Sequence, residues 1–215
     1  SKGGVDGGST GVGGREEGDG GRGGTGVGGC NTGRGGEGRA VGFGATASGA
    51  DMWGRGWSGN AGGLSSTAIS GGSTSGDYST ATGGSSAGGN YSTAMSGGST
   101  SGDYSTAMGL YSSAGGLVST AIGNEALALG DYSVAFGLGD SSGGIPDPAM
   151  PQVSGQSSFG IFMGDQTGVD VSATNTMALL GGKFVLGATA ATTGGEQDLE
   201  LDIEGDIGGI NYCDN

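Results

Sequence analysis

Ser119-Thr120-Ala121-Ile122-Gly123, Ala126-Leu127-Ala128-Leu129-Gly130 and Ser133-Val134-Ala135-Phe136-Gly137 repeat one five-residue phrase, each starting seven residues after the last. Upstream the phrase continues at Ser66-Thr67-Ala68-Ile69, Ser79-Thr80-Ala81-Thr82, Ser92-Thr93-Ala94-Met95 and Ser105-Thr106-Ala107-Met108. From Ser66 to Ser133 the main copies step by 13, 13, 13, 14 and 14 residues. Short alternating phrases bounded by glycine read as strands. A fixed period holding two of them reads as one coil of a solenoid, built from two strands and two turns. The stretch Gly71 to Ala81 recurs unchanged at Gly97 to Ala107, 26 residues later, which is two coils. The expected fold class is all-β, a parallel β-roll or β-solenoid of about 14-residue coils.

Alternation along each strand places the first and third residues, Ser or Ala and then Ala, on one face and the second and fourth on the other. The second set is larger and more apolar. It is therefore the expected solenoid core: Thr106, Met108, Thr120, Ile122, Leu127, Leu129, Val134 and Phe136. The hydroxyls and methyls of the first set then form an outer face flat enough for a neighbouring subunit to approach closely. On that reading Ala128→Arg acts on subunit packing.

Composition narrows the function. Glycine supplies 58 of 215 residues and only 33% are hydrophobic, too little for a conventional globular core. Without a Gly-X-Y triplet, that glycine content calls for a regular hydrogen-bonded backbone to offset its conformational entropy. Lys+Arg 7 against Asp+Glu 21 gives a net charge of −14, which repels nucleic-acid phosphates and anionic lipid headgroups. No nucleic-acid partner and no membrane insertion are expected, since no apolar run reaches the ~20 residues of a spanning helix. The chain has no histidine, so Ser-His and Cys-His catalysis are excluded. No enzyme activity and no cofactor are expected.

Outward from the regular repeat, the organisation divides at residues 63, 137 and 157. Residues 1–63 carry a degenerate form of the pattern, with Val12, Val27 and Val41 spaced by 15 and 14. They read as irregular Gly-rich coils with Arg15, Glu16, Glu17, Asp19 and Arg22 in turns. A flexible tail and a bundle of polyproline-type strands are the alternatives. Residues 64–137 are the regular β-roll. All three prolines fall at Pro146, Pro148 and Pro151, marking 138–157 as a linker and a domain boundary. Residues 158–215 read as a short β-rich C-terminal trimerisation segment, in which Leu199, Leu201 and Ile203 alternate with Glu200, Asp202 and Glu204.

The heptads from Ser119 to Gly137 resemble the head repeats of trimeric autotransporter adhesins, and the match covers roughly residues 64–137. The same repeat occurs in phage tail fibres. The resemblance implies a left-handed parallel β-roll in each chain and three rolls packed about an axis, hence a homotrimer. A second stretch, Asn175 to Phe184 followed by Leu201 to Ile207, looks like the region preceding the self-cleaving chaperone of endosialidase-type tail proteins. It implies a mature product from which the chaperone has been removed.

Several residues are candidates for contacts with other molecules. Tyr78, Tyr91 and Tyr104 lie 13 apart, each after Asp or Asn, and should stack in a ladder; Tyr132 follows the same local pattern. Such ladders beside carboxylates bind sugars, but they also arise automatically when a repeat duplicates. Trp53 and Trp57 interrupt the repeat as an adhesive loop or as a plug over the solenoid. Asp165-Gln166-Thr167-Gly168-Val169-Asp170 offers oxygen ligands for calcium without the spacing of a calcium loop. Cys30 and Cys213 are separated by roughly 30 Å of coils at ~4.8 Å each, beyond disulfide reach. They pair, if at all, as an inter-subunit disulfide between axially stacked copies.

The reading that follows is a structural and adhesive subunit of a trimeric extracellular fibre, either a virion tail fibre or a cell-surface filament, with a host surface glycan or protein as receptor. The alternatives are a self-polymerising extracellular filament subunit and a surface-polysaccharide depolymerase.

Overall fold

A computed structural model describes residues 59–138, 150–164 and 166–181, together with the strand backbones between residues 9 and 55. Every strand is parallel to its neighbours, and the chain alternates between two sheets. One sheet has twelve described strands, from Ser9–Val12 to Met177–Leu180, and the other ten, from Glu16–Asp19 to Gln152–Val153. This is a parallel β-solenoid with two strands per coil; no helix occurs among the described residues.

Register shows what the coils have in common. In the larger sheet one column runs Gly11, Gly26, Ala40, Gly54, Ala68, Ala81, Ala94, Ala107, Ala121, Ala135, Gly160 and Ala178. The matching column of the smaller sheet holds Gly18, Gly33, Ala47, Ala61, Thr74, Ala87, Thr100, Ala114, Ala128 and Val153. From Ala61 onward, the alanines of these columns are fully buried up to Ala135. They are the coil interior.

The expected sidedness is therefore reversed. Thr106, Met108, Thr120, Ile122, Leu127, Leu129, Val134 and Phe136 lie on the outside, where Met108 is 38% and Leu129 41% exposed and the rest are half-buried by the coils above and below. The physical reason is volume. Strands of two to five residues joined by tight turns leave a tube that one methyl or hydroxyl from each sheet already fills. At the turns the approach is closer still, because a Cβ on Gly102 would be driven into the Gly116 carbonyl.

The interior is also hydrogen-bonded through its serines. Ser79, Ser92, Ser105, Ser119 and Ser133 are buried, and each donates its hydroxyl to the carbonyl three residues earlier at 2.6–2.7 Å. These bonds lock the turn onto the strand that follows it. Ser119→Ala is expected to lower stability by about 1 kcal/mol, the net worth of one buried hydrogen bond. The site tolerates the methyl sterically, since Ala126 is buried at the corresponding strand entry of its coil. A urea titration of both proteins checks the difference, and equal midpoints would refute a contribution from this lock.

Two boundaries differ from expectation. The sheets continue on the far side of the proline cluster: Val134 pairs with Phe159 and Leu127 with Gln152. Pro151 cannot donate to a ladder and enters it through its carbonyl, which accepts from Leu127 N–H at 3.2 Å. The chain divides instead between Gly182 and Lys183. In the N-terminal part Glu16, Glu17 and Asp19 lie in the strand Glu16–Asp19 rather than in a turn. Gly18 supplies the small residue that the interior column requires there. Arg15, Arg22, Cys30, Trp57 and Cys213 lie outside the described residues, as does the stretch from Lys183 to Ile207.

Candidate functional site

The turn that enters each described strand of the larger sheet from Thr67–Ile69 onward holds a non-glycine residue in the left-handed region: Ser65, Tyr78, Tyr91, Tyr104, Val118, Tyr132, Ser157 and Asn175, with φ between 50° and 57°. Such a conformation costs roughly 1–2 kcal/mol for an L-residue. Hydrogen bonds to the coil below offset it. The N–H groups of Tyr78, Tyr91, Tyr104, Val118 and Tyr132 donate to the carbonyls of Leu64, Asp77, Asn90, Asp103 and Leu117 at 2.6–2.9 Å.

A side-chain ladder runs beside this one. Oδ1 of Asp77, Asn90 and Asp103 accepts from the backbone N–H of Leu64, Asp77 and Asn90, respectively, at 2.8–2.9 Å. Leu117 has no oxygen to offer, so the side-chain ladder resumes at Asp131, whose Oδ1 accepts from Leu117 N–H at 2.9 Å. The sequence shows these acids only as neighbours of the tyrosines; their role in tying one coil to the next depends on the register.

Identical backbone geometry in successive coils forces the tyrosines into line. Tyr78 and Tyr91 stack with ring centroids 4.8 Å apart and 9° between planes, and Tyr91 and Tyr104 with 5.0 Å and 2°. All three rings are about half exposed, as is Tyr132. Val118, 43% exposed, takes the place of a ring between Tyr104 and Tyr132. The structure thus brings three of the four candidate tyrosines together and sets the fourth apart.

The other candidates are placed differently. Trp53 lies in the strand Trp53–Arg55, in register with Arg39 and Thr67, and is not part of a loop; Gly54 beside it holds the interior column. Asp165 is outside the described residues. Both carboxylate oxygens of Asp170 accept from Ser154 Oγ, at 2.8 Å each, and Oδ1 also takes the Ser154 N–H at 3.2 Å. Among the described residues no three acidic or cysteine side chains gather as a metal site.

The outer faces of the two sheets are unlike. On the larger sheet one register row reads Ile69, Thr82, Met95, Met108, Ile122, Phe136, Ile161 and Leu179. In the adjacent row Phe159 meets Phe136 edge to face at 5.6 Å. On the smaller sheet the corresponding row is Ser73, Ser86, Ser99, Ser113, Leu127 and Gln152. One sheet therefore presents an apolar stripe to its surroundings and the other a mostly hydroxylated one.

No curated protein matches the chain. The family model described as the YadA head domain repeat matches residues 114–139 in two copies, and that stretch contains the strands Thr120–Gly123, Leu127–Ala128 and Val134–Leu138. The matched stretch, residues 114–139, is similar to the YadA head domain repeat and lies within the parallel β-solenoid.

Proposed function

We propose that the chain is a structural and adhesive subunit of a homotrimeric fibre displayed outside a cell or on a virion. The observation that carries this reading is the apolar stripe on the outer face of the larger sheet. Met95, Met108, Ile122, Phe136 and Ile161 follow one another at consecutive coils, and no second layer covers them among the described residues. Contiguous exposed apolar surface of this kind marks an interface. Three copies with their larger sheets turned towards a shared axis would cover it, gaining about 1.5–3 kcal/mol for each large side chain fully buried. The hydroxylated sheet then faces solvent, and the turns bearing tyrosine and aspartate form the edge available to a surface glycan or protein receptor. The role is mechanical and adhesive rather than catalytic.

Negative-stain imaging of the purified full chain tests this. Isolated short rods of uniform length are expected. Indefinite filaments would replace the reading with that of a self-polymerising subunit, and release of sugars from envelope polysaccharide would replace it with that of a depolymerase.

A further inference from the structure

We propose that the gap in the tyrosine ladder, between Tyr104 and Tyr132 and above Val118, is a binding slot for one neutral pyranose ring. This rests on the adhesive reading above and names where, and on what chemistry, adhesion occurs.

The ladder itself is a poor sugar platform. Both faces of the Tyr91 ring are turned to its neighbours at 4.8 and 5.0 Å, which leaves its edge and hydroxyl for solvent. A sugar stacks through its C–H bonds on an aromatic face, where the ring's negative potential lies. Uncovered faces occur where the ladder breaks.

The break at Val118 has the right dimensions. Tyr104, Val118 and Tyr132 occupy the same turn position in successive coils, with φ of 56°, 53° and 57° and equivalent N–H bonds to the coil below. Two coil steps separate the tyrosine positions by about 9.5 Å. Carbon atoms in contact lie about 3.5–4.0 Å apart, so a flat ring held between two tyrosines fills about 7–8 Å. A puckered pyranose, with hydrogens on both faces, takes up the remainder. Val118, 43% exposed, carries no ring to stack between Tyr104 and Tyr132.

One wall supplies a polar partner. Asp131 immediately precedes Tyr132, and its Oδ1 accepts from the N–H of Leu117, the neighbour of Val118, which sets this carboxylate beside the slot. Its Oδ2 remains an acceptor for sugar hydroxyls, and hydrogen bonds to a carboxylate are the stronger kind. A carboxylate there, on a chain of net charge −14, repels uronates and sialic acids, which leaves neutral pyranoses.

The test uses the full chain and a panel of methyl glucoside, galactoside, mannoside and N-acetylglucosaminide, followed by NMR. At least one glycoside is expected to shift the ring signals of Tyr104 and Tyr132 and the methyls of Val118, leaving Tyr91 unmoved. Val118→Tyr should fill the slot with a ring, continue the stack and weaken that binding by at least about tenfold with the circular dichroism unchanged. Tyr132→Ala, at an exposed side chain, removes one wall and should weaken it similarly. If no glycoside perturbs Tyr104 and Tyr132, or if Val118→Tyr and Tyr132→Ala both bind as the parent does, the slot is wrong. Uniform rods in the imaging experiment would then still support the fibre, whereas absence of rods would refute the fibre itself.

Discussion

Ala128→Arg is expected to unfold the rod around its own coil instead of parting one subunit from the next. Ala128 is fully buried, in the interior column between Ala114 and Val153. An arginine there must leave the strand pairing or bury a guanidinium in a column of threonine, alanine and valine. An unpaired buried charge costs several kcal/mol, and overpacking a filled core adds about 1–3 kcal/mol. Parallel coils stabilise one another only through their neighbours, so damage to one coil interrupts the stack. The expected outcome is loss of most β-sheet circular dichroism at room temperature, with aggregation on concentration. Leu127→Arg is the control one residue away. Leu127 sits on the outer face of the smaller sheet beside Ser113, and its arginine should leave the spectrum intact. A folded Ala128→Arg protein would mean that the alanine columns are not the interior.

The second large effect falls on assembly. Ile122 and Phe136 are adjacent in the outer apolar row of the larger sheet, and Phe136 packs edge to face on Phe159. Replacing both with aspartate puts two carboxylates per chain, six per trimer, where three apolar stripes would meet. Each substitution forfeits about 1.5–3 kcal/mol of apolar burial and adds an unpaired charge to a dehydrated surface. Neither side chain reaches into the coil, so the buried alanine and serine columns are untouched. Sedimentation velocity is expected to show the trimer replaced by monomer, with the melting temperature lowered because isolated coils have so thin a core. An unchanged sedimentation coefficient would remove the larger sheet from the interface.

Much of this fold is legible in the sequence. The period, the two strands per coil and the parallel stacking follow from the spacing of Ser66 to Ser133 alone. Even the N-terminal coils are visible, since Val12, Val27 and Val41 are register partners. Sidedness is where hydrophobicity misleads. Ranking faces by apolar character sends Ile122 and Phe136 inward, but a coil this narrow selects by volume. The signal that discriminates is variation among the copies. In the six main copies from Ser66 to Ser133 the third position is always Ala, whereas the fourth ranges over Ile, Thr, Met and Phe. A position that accepts one size is enclosed, and a position that accepts several faces space.

The rest depends on register between coils. The proline cluster looks like a domain boundary because the repeat stops there, but strand pairing across it needs only that the ends of the intervening segment come together, and loop length adds little to that cost. Trp53 looks like part of a loop because it is large; Gly54 next to it keeps the column small and lets the strand continue. The side-chain ladder of Asp77, Asn90 and Asp103 is invisible until each residue is set above its partner 13 residues earlier.

The central claim is that this solenoid keeps its small residues inside and turns its large apolar ones towards sister chains. Native mass measurement of the intact protein tests it most directly. One dominant species of three 20.3 kDa chains is expected. A monodisperse, stably folded monomer at micromolar concentration would contradict it, because the apolar stripe would then have no occupant.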